Sequence, residues 1–219
     1  MKKIVMTRKT YMHALEPIKS LLNTYQPKPI HQKTSYAVLL PLIKMDNHYH
    51  VLYQIRAQHI SQPGEVAFPG GKVEAGESLK AAAIRETAEE LNIASDQIQI
   101  LGEIDFLVSG SRTVHCFVGE ILIEDWQAIT PNEEVERLFT LPLDMLLEDD
   151  PVYYSLTSTL TANGDFPFER ITNGMGYPFK DFHRTIPFYD KLDENLWGMT
   201  ALFTHRFVEM IRSGKKYPR

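Results

Sequence analysis

Three carboxylates stand close together at Glu86, Glu89 and Glu90. On a helical wheel with Glu86 at 0°, Glu89 falls at about 300° and Glu90 at about 40°, so all three share one face. Ile84, Ala88 and Leu91 fall opposite and are expected to form the apolar face. Ala82 and Ala83 flank the acids one turn earlier and leave room for another backbone or a ligand to come close. Like charges at these spacings destabilise an isolated helix by about 0.2–0.5 kcal/mol per pair. A merely solvated face would intersperse lysines, yet the one base nearby is Arg85. Such a face suits a hard cation. Magnesium takes oxygen ligands at about 2.0–2.1 Å, uses one or two carboxylates, and keeps its other positions for water or substrate phosphate. Taken alone, the cluster reads as a solvated acidic surface; the residues around it turn the reading.

The element that has to carry these acids is a helix over Ser78–Leu91. Before it, residues 57–76 hold Pro63, Gly64, Pro69, Gly70, Gly71 and Gly76, the marks of a long structured loop. Ser35–Ile43 and His50–Arg56 are rich in β-branched and apolar residues and read as strands joined by a hairpin connection at Met45–His48. Further strands are expected at Ile98–Phe106, Val114–Ile123 and Val135–Leu141. An N-terminal helix is expected over about 11–25, where Leu15, Ile18, Leu21 and Leu22 recur at helical spacing before Pro27 and Pro29 end it. A last helix runs from about Asn195 to Ile211, with Gly214 as its stop. Strands alternating with a few helices predict a mixed α/β layer fold. No repeat or linker divides the chain, so one domain is expected over 1–219, with a core at about 35–150 and a C-terminal extension over 151–219. Residues 151–190 are aromatic and proline-rich, and two roles stay open for them: a contact between two copies of the chain, or a cap over the site.

The 219 residues are 43% apolar and 23% charged, ordinary globular proportions that exclude disorder and fibrous repeats. A formal net charge of −5 gives no basic surface for nucleic-acid backbones. Cys116 has no second cysteine to pair with, and the longest apolar run, Ala37–Ile43, is far too short to cross a bilayer. No signal-peptide core follows Lys2 and Lys3, so a cytoplasmic protein without membrane or nucleic-acid partners is expected.

The acids sit in a longer pattern. Gly71 is followed after five residues by Glu77, and after seven more by Arg85-Glu86-Thr87-Ala88-Glu89-Glu90-Leu91-Asn92-Ile93. This resembles the Nudix box, G-x5-E-x7-R-E-U-x-E-E-x-G-U with U apolar, and departs from its fixed residues only at Asn92. The resemblance implies a Nudix-type α/β/α sandwich with a mixed β-sheet and a loop–helix–loop catalytic motif. It also implies Mg²⁺ or Mn²⁺ held by Glu86, Glu89 and Glu90 with the carbonyl of Gly70, while Glu77 and Arg85 orient the site. Thr87 stands where the box has an aliphatic residue and falls on a flank of the wheel. Asn92 replaces the glycine that ends the box helix, and asparagine is the next residue to tolerate a left-handed backbone.

Upstream, Leu52-Tyr53-Gln54-Ile55-Arg56-Ala57 and then Gly64 and Phe68-Pro69-Gly70-Gly71 are similar to the signature of the coenzyme A pyrophosphohydrolases within that family. That likeness implies hydrolysis of coenzyme A or its derivatives to 3′,5′-ADP and 4′-phosphopantetheine, with Arg56, Phe68 and Gly71 on the substrate. A guanidinium leaving a strand for a Gly/Pro loop can grip phosphate oxygens in pairs, although a structural ion pair explains it equally well. Phe68 can stack on a base or anchor the loop. Ser61 lies where the subfamily carries a second arginine. Glu134, in Pro131-Asn132-Glu133-Glu134, matches a downstream acid that often serves as general base, a role Glu86 can also fill. Two alternatives stand beside this reading: a Nudix hydrolase of ADP-ribose or dinucleoside polyphosphates, and a non-catalytic nucleotide-binding module on the same fold.

Overall fold

A computed structural model describes residues 15–27, 29–162 and 164–214. Two long strands start the sheet, β1 (Thr34–Met45) and β2 (His48–Arg56), joined by a tight turn in which Asp46 and Asn47 both have positive φ. That is the backbone of a primed hairpin turn, and Asp and Asn are among the few residues that adopt it readily. The expected loop over 57–76 contains two short strands, β3 (Val66–Ala67) and β4 (Gly70–Lys72). The helix α2 (Leu79–Leu91) follows α1 (Glu16–Thr24) in chain order. Then come β5 (Ile98–Ser109), β6 (Arg112–Ile121), β7 (Val135–Pro142), a short helix α3 (Leu143–Glu148), β8 (Val152–Ser158), β9 (Phe182–Phe188) and α4 (Gly198–Ser213). Positions 11–14 of the expected N-terminal helix lie outside the described residues; 16–24 are helical.

The main sheet is mixed. β1 runs parallel to β6 and antiparallel to β2, and β5 closes the far edge on β6. β1 and β2 stay paired only near their hairpin, from Leu42↔Val51 to Met45↔His48. Beyond that they part, and the β3–β4 segment enters the gap. β3 pairs with β2, and β4 pairs with β1 through Val38↔Gly70, Ala37↔Gly71 and Tyr36↔Lys72. β7 covers the other edge of β2.

Both faces of the central strands are covered, which explains their continuous apolar runs. Ala37, Leu39, Ile43 and Leu52 face α2 through Ala82, Ala83 and Leu91. Leu40, Leu42, Val51 and Tyr53 face Leu146 of α3 and Ala201, Phe203 and Val208 of α4. The result is helix, sheet, helix. Fully burying a Leu, Ile or Val stabilises a fold by about 1.5–3 kcal/mol, so this double core holds the sheet against the helix that bears the acids.

The segment without a sequence assignment, 151–190, forms a separate antiparallel ribbon of β8 and β9. Val152, Tyr154, Leu156 and Phe182 are exposed on it. Trp197, inside the range expected for the last helix, instead precedes α4 and stacks half-buried on Phe188. No helix among the described residues is long and apolar enough to cross a membrane.

Candidate active site

α2 begins where Ser78 accepts a hydrogen bond from the amide of Ala81 at 3.1 Å, and it ends at Asn92 with φ 53° and ψ 46°. The left-handed residue expected there is present, carried by asparagine. The buried side of the helix differs from the wheel reading. Ala82, Ala83, Thr87, Glu90 and Leu91 are buried, while Ile84 and Ala88 are only half-buried. The side chains facing the sheet are small, so the helix lies close to β1 and takes Glu90 in with it. Thr87 is fully buried rather than on a flank, and its hydroxyl has no hydrogen-bond partner among the described residues.

Glycine makes the close approach possible. A Cβ on Gly70, whose φ is +148°, would meet the carbonyl oxygen of Ala37 at 2.4 Å. A Cβ on Gly71 would meet the carboxyl group of Glu86 at 2.3 Å. A side chain is excluded by backbone at Gly70 and would push the Glu86 carboxyl away at Gly71, so the β4 backbone touches β1 on one side and Glu86 on the other.

Glu90 lies deepest, 5% exposed. Its Oε2 accepts from the amide of Gly70 at 2.9 Å and from Nε2 of Gln54 at 3.0 Å. Burial pushes its carboxyl up to about 7; those two hydrogen bonds pull the other way, and the charges of Glu134 and Glu86 add to the rise. The carboxyl therefore lacks a positive partner. Arg85 serves the other acids. Its Nε and Nη2 donate to the two oxygens of Glu77 at 2.9 and 3.0 Å, Nη1 donates to Glu86 at 2.8 Å and Glu89 at 3.3 Å, and Nη2 reaches the carbonyl of Lys72 at 3.2 Å. The guanidinium is held above its ordinary range, chiefly by Glu77 and then by Glu86. Glu77 is held below the usual carboxylate range, first by Arg85 and then by the amide of Glu74.

Glu134 arrives from the 131–134 loop, which backbone hydrogen bonds fix. The amide of Asn132 donates to the carbonyl of Glu90 at 2.9 Å, and the carbonyl of Glu134 accepts from Ala57 at 2.9 Å. Glu86 lies against Gly71 and Glu90 on the amide of Gly70, and the charge of Glu134 is felt at Glu90. Glu89 is more exposed and turned to Arg85. Arg56, the last residue of β2, holds its guanidinium on Ser61, Nε to the carbonyl at 2.8 Å and Nη2 to the hydroxyl at 3.3 Å. Phe68 is 5% exposed and stacked on Tyr53 with ring centres 5.2 Å apart, so its ring anchors the loop and offers no free face to a base. α4 secures that anchor. Thr200 donates to the carbonyl of Val66 and Thr204 to that of Thr200, leaving the Tyr53 hydroxyl to donate to Thr204.

Does a hard cation suit this place? The donors are carboxylates and a backbone carbonyl, all oxygen, and the Glu90 carboxyl is raised by burial and then by the neighbouring charges of Glu134 and Glu86, which a cation would offset. Among the described residues no three acidic, His or Cys side chains are already drawn into a cage, because Arg85 engages Glu86 and Glu89. The donor chemistry fits the cation.

Gln54 and Asn132 were not singled out from the sequence. Gln54 had a legible signal: a polar residue within the apolar run Val51–Ile55 of a strand buried on both faces. Asn132 acts through its backbone, which its residue type does not announce.

A mixed sheet split by a glycine strand, with an acid-bearing helix laid across the split, is the frame of a hydrolase that works on phosphoanhydrides. Residues 33–160, more than half of the chain, match the NUDIX domain, and the chain belongs to the Nudix family of pyrophosphohydrolases. It is 26% identical over 183 residues to Nudix hydrolase 3 of Caenorhabditis elegans, covering 81% of this chain and 73% of that one. It is 28% identical over 194 residues to the mitochondrial coenzyme A diphosphatase NUDT8 of Homo sapiens, covering 84% and 72%. It is 30% identical over 179 residues to the Nudix hydrolase NudL of Photorhabdus laumondii, covering 80% and 84%. A solved MutT/Nudix family protein from Enterococcus faecalis covers 92% of this chain at 14% identity and a TM-score of 0.46.

Proposed function

We propose that this Nudix hydrolase cleaves the diphosphate bond of coenzyme A or its acyl derivatives, giving 3′,5′-ADP and 4′-phosphopantetheine or its acyl form. The observation that carries the reading is the run Arg56, Gly64 and Phe68-Pro69-Gly70-Gly71 leading straight onto the box acids. The 28% likeness to a coenzyme A diphosphatase across 84% of the chain supports it.

In this reading Glu86, Glu89, Glu90 and the Gly70 carbonyl hold Mg²⁺ or Mn²⁺. A bound divalent cation neutralises the diphosphate and stabilises charge developing on the phosphoryl oxygens. Arg85 and Glu77 keep the helix acids in register with the glycine strand. Glu134 takes a proton from the attacking water, with Glu86 as the other candidate base; the water oxygen bonds to phosphorus as the bridging P–O bond breaks. Arg56 leaves Ser61 to grip the outer phosphate oxygens.

A second reading, hydrolysis of ADP-ribose or a dinucleoside polyphosphate, is favoured by Ser61 in place of a second arginine and by its hold on Arg56. Chromatography of products from coenzyme A, ADP-ribose and diadenosine polyphosphates, with Mg²⁺ or Mn²⁺ and an EDTA control, separates the two. Metal-dependent 3′,5′-ADP with the other substrates slow is the expected result. Turnover of another diphosphate with coenzyme A intact would overturn the first reading.

A further inference from the structure

Gln54 is 1% exposed near the C-terminal end of β2, on the strand face shared with Leu52 that looks toward α2. Its Nε2 donates to Oε2 of Glu90, but its Oε1 is buried with no hydrogen-bond partner among the described residues. A carboxylate requires a donor, so the amide nitrogen has to face Glu90 and the orphaned oxygen follows from that choice. An apolar residue of the same shape would leave nothing unsatisfied. Packing therefore does not account for glutamine at this position.

The hydrogen-bond pattern on Glu90 offers a reason. Gly70 and Gln54 both donate to the same oxygen, Oε2, and no described residue donates to Oε1. We propose that Gln54 is a positioning residue that acts through Glu90: with the Gly70 amide it occupies Oε2, fixes the plane of the carboxyl group, and leaves Oε1 as the one oxygen free to bind a cation. This rests on the reading of Glu90 as a cation ligand. It adds a residue outside the Nudix box to the site's machinery. Partners that orient a ligand in this way typically change metal affinity about 10–100-fold when removed.

The test is a double-mutant cycle on Mn²⁺ affinity, read from the electron paramagnetic resonance of free Mn²⁺ in titrations without substrate. The proteins are wild type, Gln54→Met, Glu90→Gln and the double variant, each checked for folding by circular dichroism. Gln54→Met is expected to weaken Mn²⁺ binding about 10-fold, and to change it less than about 2-fold when Glu90 is already glutamine. Equal losses in both backgrounds, or none in either, would overturn the proposal while leaving Glu90 a ligand. If Glu90→Gln binds Mn²⁺ as wild type does, the ligand reading fails and this inference with it. Should Gln54→Met not fold, Gln54→Asn, too short to reach Glu90, enters the same cycle with the same expectations.

Discussion

The burial of Glu90 makes the acid costly to the metal-free protein, and Glu90→Gln should show that cost as a function of pH. The carboxyl is raised from 4.5 to about 7 in the folded chain. Below the lower value both folded and unfolded chains hold the proton and the site is neutral in its effect. As pH climbs from 4.5 to 7 the unfolded chain releases its proton while the folded one keeps it, so folding is progressively opposed. Above the upper value the penalty is complete. The gap between 4.5 and about 7, at about 1.4 kcal/mol per pH unit, sets a ceiling of about 3 kcal/mol. Glutamine offers the same acceptor to Gly70 and Gln54 and never ionises, so it escapes the penalty. For a domain of this size about 1 kcal/mol moves Tm by roughly 2–4 °C, so the variant should melt up to roughly 6–12 °C above wild type at pH 8.5 in EDTA. The gap should shrink steadily toward pH 5. The assay is a pair of thermal melts across that range. A difference that is constant with pH, or a variant that melts below wild type at pH 8.5, would refute the argument.

Gly71→Ala places a Cβ 2.3 Å from the Glu86 carboxyl group and must displace it; turnover should fall at least about 100-fold in steady-state assays. Thr87→Val removes a buried hydroxyl that has no partner among the described residues, so the urea midpoint should rise by the equivalent of about 1 kcal/mol with kcat unchanged. Asn92→Ala forces a left-handed backbone on a residue with no tolerance for it and should cost about 1–2 kcal/mol in urea unfolding, whereas Asn92→Gly should cost nothing.

Spacing was enough to place the acid-bearing helix, its serine start and its left-handed end, because each depends on residues a few positions apart. The resemblance to the Nudix box and to the Phe68-Pro69-Gly70-Gly71 run before it, rather than spacing alone, grouped Glu86 and Glu90 with Gly70 and Gly71. The depth of Glu90 was not legible. A wheel ranks faces by hydrophobicity, and it could not register that Ala82, Ala83 and Thr87 are small enough to draw an acid inward. The β3–β4 insertion between β1 and β2 depends on pairing partners about a dozen residues away for β3 and more than 30 away for β4, which no local pattern reveals. Phe68 shows the same limit: whether an aromatic ring in a loop is free or anchored depends on Tyr53 and on a helix more than a hundred residues downstream. The β8–β9 ribbon stayed unassigned because its 182–188 strand lies across a long irregular stretch from its mate.

The segments that surround the candidate site are pinned mostly by main chain. Arg56 pairs with Glu65 and Gly64, Leu39 with Pro69, Ala57 with Glu134, and Asn132 with Glu90, in each case amide to carbonyl. Bonds of that kind survive exchange of the side chains that make them, proline aside. Apart from Gln62 and Gly64, whose backbones are left-handed, the loop from 57 to 65 can thus change side chains while its path holds, and exposed positions such as Ser61 are open to replacement without loss of the frame. For the engineer such a rim marks where a library can vary side chains beside the candidate site and spare the scaffold.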